Sequence, residues 1–281
     1  MTSLYECYHS SKDEKFRENL VRSVADENFI EAQSLLESAL KDQSSEVRQA
    51  ALEEIGRIGL GLPEQVGHLL LYDSNYLVRI TAAETLGMLG NPVAVPFLLK
   101  ALQDRNYLVR GWVANCLTPF PGADVVDRLQ QSLPTERMGF VKVCMLSTLI
   151  ALGDKHLLPQ LTAMIAHRNY RIRIAAVKAC VEVTDKLTAS YILSFLKTRL
   201  SKEKYRSVRS VLCAALYQLL RQDRCALDVL EQAFTNFPND ESVLSALIKS
   251  YSYLGDEEKL QVARELAAIH HPELLIDNYT D

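Results

Sequence analysis

The side chains whose types and spacing suit them best for chemistry lie in two clusters. One is His167-Arg168-Asn169-Tyr170-Arg171-Ile172-Arg173. The other runs from Lys197 to Arg209 and holds Arg199, Lys202, Lys204, Tyr205 and Arg206. Guanidinium and ammonium groups neutralise phosphates or carboxylates. Interleaved tyrosines stack on bases or anchor in a protein surface. Both clusters fall in a belt, residues 154–222, with 13 basic and 4 acidic residues. Net charge is −6 over residues 1–64, +1 over 65–153 and −8 over 223–281, giving −4 for the 281-residue chain. Such asymmetry bears on partners and not on fold. It suits either another protein or, along 154–222, a nucleic acid. The bland alternative is that the acidic C-terminal part neutralises the belt within the molecule.

Catalytic and metal chemistry find little support. There is no Gly-rich phosphate loop ending in Lys-Ser or Lys-Thr, no His-Glu-x-x-His and no Gly-x-Ser-x-Gly elbow. The cysteines at 7, 116, 144, 180, 213 and 225 never fall at Cys-x-x-Cys spacing. The pair His270-His271 lacks neighbours in sequence to complete a set of three or four ligands. The expectation is therefore a non-enzyme with no cofactor and no metal. The start, Met1 to Ser11, is polar and carries Glu6, so no signal peptide is expected. The longest apolar-rich run, Val141 to Gly153, contains Lys142, Ser147 and Thr148 and falls short of the ~18 to 20 residues a membrane span needs. A cytoplasmic location without disulfides follows as the expectation.

These clusters sit on a repeating framework. Val47-Arg48, Val78-Arg79 and Val109-Arg110 recur every 31 residues, and Val141-Lys142, Ile172-Arg173 and Val208-Arg209 continue the series. Positions four, eight and eleven beyond each apolar member are mostly apolar or small, as in Ala82, Leu86 and Leu89, which is one face of a helix. A second, shorter apolar segment precedes each such helix. Pro63 and Pro92 suit helix starts, and Gly59, Gly90 and Gly153 suit helix ends. An acid stands six residues before the base in Asp42, Asp73, Asp104, Glu136 and Glu203, with His167 as the exception. Such an acid and base can pair within or between stacked units, and a framework role is expected for them. Lys12 to Val24 shows no such residue.

The pattern Asp-x-x-x-x-Val-Arg-x-x-Ala-x-x-x-Leu-Gly-x-x-Gly, clearest in Asp42 to Gly59 and Asp73 to Gly90, resembles the HEAT family of helical repeats. The resemblance covers roughly residues 27–221. It implies an all-α fold, a right-handed superhelical solenoid of about seven antiparallel helix pairs. The second helices would line a concave face that binds macromolecules. Residues 222–270 look more like a tetratricopeptide-type pair, so the expected organisation is a helical cap over 1–26, the array, this C-terminal cap and a polar tail over 271–281.

On that scaffold Asn75, Asn106 and Asn169 are expected to cap second helices, each followed by Tyr76, Tyr107 or Tyr170. Positions two, six and nine beyond the ladder's apolar residue are expected to face the groove, including Val143, Ile150, Ile174 and Lys178. The expected partner-binding set is Tyr107, Trp112, Val143, Ile150, Arg168, Tyr170, Arg171, Ile174, Lys178, Lys204 and Arg206. The expected function is non-catalytic binding of another protein, as an adaptor, assembly chaperone or toxin-neutralising immunity protein. The competing readings are a nucleic-acid-binding array and, by resemblance of scaffold alone, a bilin-lyase-like protein. Alkylpurine DNA glycosylases share the scaffold type too, but one tryptophan and an acidic balance argue against that activity.

Overall fold

The computed structural model describes residues 4–24 and 29–275. Residues 276–281 of the expected tail, and residues 1–3 and 25–26 of the expected cap, lie outside them. Among the described residues the chain is all helical. In chain order the helices are α1 (Leu4–Ser10), α2 (Glu14–Arg22), α3 (Phe29–Ala39), α4 (Ser45–Ile58), α5 (Pro63–Tyr72), α6 (Tyr76–Leu89), α7 (Val95–Ala101), α8 (Tyr107–Cys116), α9 (Ala123–Ser132), α10 (Gly139–Ala151), α11 (Leu158–Ala163), α12 (Tyr170–Glu182), α13 (Ala189–Leu200), α14 (Arg206–Leu219), α15 (Cys225–Asn236), α16 (Glu241–Leu254) and α17 (Glu257–His270). They form eight pairs and a closing helix, one pair more than expected. No helix among the described residues is long and apolar enough to cross a membrane.

The chain divides into two compact units, Met1–Asp154 and Lys155–Asp281. Unit one holds α1 to α10, and its second helices α2, α4, α6, α8 and α10 pack side by side. Unit two holds α11 to α17, with α12, α14 and α16 packed in the same way.

The local signals act as their chemistry dictates. Asn75, Asn106 and Asn169 each accept a hydrogen bond at 2.9 Å from the backbone N–H two residues on, capping α6, α8 and α12. Pro63 opens α5. Gly59 and Gly90 close α4 and α6 at φ of +71° and +62°, where a side chain would be strained. Gly67 and Gly111 serve a different need. A Cβ added to them would lie 2.5 Å from Phe97 and 2.4 Å from Phe140, so each glycine admits the next layer's aromatic ring. Thr85 and Thr148 tie second helices together by donating to the carbonyls of Leu52 and Ala114.

The acid–base series resolves into one repeated joint. In Arg17–Asp42, Arg48–Asp73, Arg79–Asp104, Arg110–Glu136, Arg173–Glu203 and Arg209–Asp240, two guanidinium nitrogens reach the carboxylate of the following repeat at 2.7–3.0 Å. The third nitrogen donates to the carbonyl six residues earlier in its own turn, at 2.8–3.3 Å. The pairing therefore runs between stacked repeats. The ladder also begins one repeat earlier than the sequence suggested. Arg17 occupies the register, but Phe16 replaces the usual Val or Ile and Ser11 replaces the acid, which hid it.

Arg79 is 3% exposed, and losing it leaves a buried carboxylate without its cation. Arg79→Ala is expected to destabilise by about 3–5 kcal/mol, measured by urea unfolding. The ladder also fixes a pH dependence. Burial opposes ionisation of Asp42, Glu136 and Glu203, but hydrogen bonds from Arg17, Arg110 and Arg173 outweigh it and hold all three carboxyls below their ordinary values. The unfolded chain then takes up protons first as pH falls. Stability should be level down to about pH 5 and decline below about pH 4.5, where unfolded carboxyls titrate. Urea midpoints from pH 7 to pH 3 check this.

Candidate functional site

The two basic clusters converge on one edge of unit two. The turn before α12 and the turn before α14 are successive repeats of one structure, so residues at matching places become neighbours. Tyr170, the first residue of α12, and Tyr205, the N-cap of α14, stack with ring centroids 5.1 Å apart and planes 9° from parallel. Beneath them Arg173, 3% exposed, lies 5.3 Å from the Tyr205 ring while bound to Glu203. Arg171 donates to the Tyr170 hydroxyl at 3.2 Å and lies 5.8 Å from its ring. Arg168 in the first turn, Lys202 and Lys204 in the second, and Arg206 at the start of α14 are exposed. Along α12, Ile174 and Lys178 continue the line from Tyr170 at four-residue steps, half-buried and exposed respectively.

Half-hidden in this edge is the structural role of His167. Its Nδ1 accepts the backbone N–H of Asn169 at 3.0 Å, and its carbonyl accepts from Arg173. A ladder carboxylate does the same in other turns, as Asp104 does for Asn106. The histidine is a framework substitute.

The belt's charge is split between two uses. Of its cations, Arg173 and Arg199 are bound to Glu203, Arg209 to Asp240, Arg206 to Glu241 and Lys155 to Asp185. Only Arg206 and Arg209 among these are met by acids of residues 223–281, so internal neutralisation is partial. The Arg206–Glu241 pair stays open to solvent, with the arginine side chain 65% exposed.

The expected site residues fall in both units. Arg168, Tyr170, Arg171, Ile174, Lys178, Lys204 and Arg206 gather in unit two. Tyr107 and Trp112 lie in unit one on α8, 40% and 39% exposed. Val143 and Ile150 require correction as contact residues: they are 2% and 5% exposed. Helix α10 is apolar around its circumference, and Val141 and every residue from Val143 to Ile150 are buried, as such a sequence demands. Tyr205, named in the second cluster but left out of the expected contact set, takes the N-cap place that Asn75, Asn106 and Asn169 hold in other turns, and its N–H donates to Glu203 at 2.9 Å.

One group of metal-type ligands exists among the described residues. Atoms of Glu241, His271 and Glu273 lie within 4.8 Å of one another. Arg206 already pairs with Glu241, and the His271 ring nitrogens meet Glu273 and the Asn239 carbonyl at 3.1 Å each. Those contacts already engage all three side chains within the chain.

Comparison with known proteins places the fold. A family model described as HEAT repeats matches residues 63–143. No curated protein matches. A chain of the CpcE–CpcF complex of phycocyanin lyase from Nostoc sp. PCC7120 is similar at 19% identity and a TM-score of 0.50, over 83% of this chain and 92% of that one. YibA of E. coli is similar at 19% identity and a TM-score of 0.51, over 88% of this chain and 90% of that one. These likenesses establish a helical-repeat fold of the HEAT type.

The exposed pair and the buried joint beside it should separate experimentally. Glu241→Gln releases Arg206 from an exposed contact and is expected to cost under about 1 kcal/mol. Asp240→Asn breaks the neighbouring rung and is expected to cost several times more, both read by urea unfolding.

Proposed function

We propose that this chain of HEAT-type repeats is a non-catalytic binder of another protein, using the tyrosine- and arginine-rich edge of unit two. The observation that supports this reading most directly is the Tyr170–Tyr205 stack. Two large rings are stacked and partly exposed, with Arg171 against one of them and Arg168, Lys202 and Lys204 exposed in the same two turns. Rigid aromatic anchors beside arginine give contact area at little entropic cost, and both residue types are enriched where binding energy concentrates. The surrounding Arg168, Lys202 and Lys204 select an acidic surface on the partner. An adaptor, an assembly chaperone and an immunity protein would all use such an edge in the cytoplasm.

A nucleic acid would meet the same cations, but much of the belt's arginine is spent inside the ladder. A bilin-lyase-like role has the CpcE–CpcF likeness behind it, and that likeness extends to fold alone.

The test is capture from the native host with tagged protein, nuclease-treated, at about physiological salt, read by mass spectrometry. One stoichiometric protein is expected with the wild type and with Arg264→Glu on α17. It should be lost with the pair Arg168→Glu, Lys204→Glu. Recovery of nucleic acid without protein, or of a pigment-bearing partner with a bound tetrapyrrole, would replace this reading.

A further inference from the structure

A second surface, of opposite polarity, lies on unit one. The sixth residue beyond each ladder position sets Arg22, Glu53, Glu84 and Asn115 in a row across α2, α4, α6 and α8. Arg22 donates to Glu53 at 2.8 Å and to Glu18 at 3.1 Å, so Glu53 has its cation. Glu84 does not. It is half-buried, and among the described residues it receives no hydrogen bond and no ion pair. Burial, and then Glu53, push its carboxyl above the ordinary range. The Cys116 thiol of α8 borders it and is itself pushed up to about 12, by burial first and Glu84 second.

The surroundings of this carboxylate are apolar and open. Gly56 and Gly87, one turn beyond Glu53 and Glu84, admit side chains of the next helix, Met88 against Gly56 and Cys116 against Gly87. Met88 is 69% exposed and comes within 3.5 Å of where a Gly56 Cβ would stand. Trp112 is 39% exposed and stands one turn before Cys116 on the same helix. An uncompensated carboxylate one turn from an exposed thioether, with an exposed indole on the neighbouring helix, is a costly surface to leave bare.

We propose that this face docks a basic segment of a partner protein, with an arginine or lysine cation meeting Glu84 and lying against Trp112. Charge complementarity selects this occupant. A cation supplies what Glu84 lacks, an indole face is the best aromatic platform for it, and Met88 adapts to the flanking side chain. A nucleic acid carries the wrong sign, and one unshared carboxylate is too few ligands for a metal. The proposal rests on the protein-binding reading, but its test does not involve the edge at residues 168–206.

Trp112 is the only tryptophan, so its fluorescence reports this face alone. The probe is a hexa-arginine peptide at about physiological salt, with hexaglutamate as control. A saturable change in Trp112 emission is expected with the first and none with the second. Glu84→Gln should weaken the affinity about fivefold or more, while Glu258→Gln on α17 leaves it unchanged. Glu84→Gln should also raise Tm, because it removes an unpaired charge. Equal losses in both variants would mean general attraction to an acidic protein and would overturn the proposal. A lowered Tm would show that the carboxylate is structural, with the same consequence. Failure here leaves the capture result at the unit-two edge intact, and failure of that capture leaves this binding measurable.

Discussion

One joint holds this architecture in register: an arginine that grips its own turn by a carbonyl and the next repeat's turn by a carboxylate. The planar guanidinium makes both grips at once because its three nitrogens point in fixed directions. Each carboxylate, in turn, accepts the backbone N–H two residues on, as Asp73 does from Asn75 and Glu136 from Met138. The joint therefore couples three things: the shape of a turn, the start of a helix and the offset between layers. Stacked helices bury mostly leucine, valine and alanine, which pack acceptably in several registers. A bidentate contact does not slide, and the near-constant 31-residue spacing of unit one is the sequence trace of that demand.

Two substitutions in the ladder flank the boundary between the units. Lys142 takes the arginine's place in the fifth ladder position, and His167 takes the place of the acid that would follow. An ammonium has no fork with which to make two parallel bonds, and an imidazole offers one acceptor where a carboxylate offers four lone-pair sites. The boundary between the two compact units, at residues 154 and 155, falls between these substitutions. His167 preserves half of the device, since Asn169 and Arg173 still bind it.

Much of the fold was legible in the sequence because it is written several times. The capping asparagines, the terminal glycines and the ladder each recur in one register, so a single weak signal is multiplied. Arg17 escaped because it appears once, without its usual valine and acid. The site was less legible. Position within a helix told which residues leave the core of a pair, but not whether a neighbouring layer covers them. Val143 and Ile174 hold equivalent places, yet the first is buried and the second half-buried. The difference comes from α10, whose apolar circumference draws cover on every side. A basic residue's fate was also hidden: Arg171 and Arg173 are two apart, and one faces solvent while the other is a buried rung.

That last contrast carries the functional argument. A repeat protein of this kind must spend arginine and acid on its own stacking before any charge is available to a partner. What matters for recognition is the residue left after the ladder is subtracted. In unit two the remainder is cationic and aromatic, around Tyr170 and Tyr205. In unit one it includes Glu84, a carboxylate with no rung to join, with Met88 one turn on and Trp112 on the neighbouring helix. The net charge of −4 conceals both. Each surface has charge that the fold does not use and apolar area that the fold does not cover, and that conjunction separates a binding surface from a solvated one.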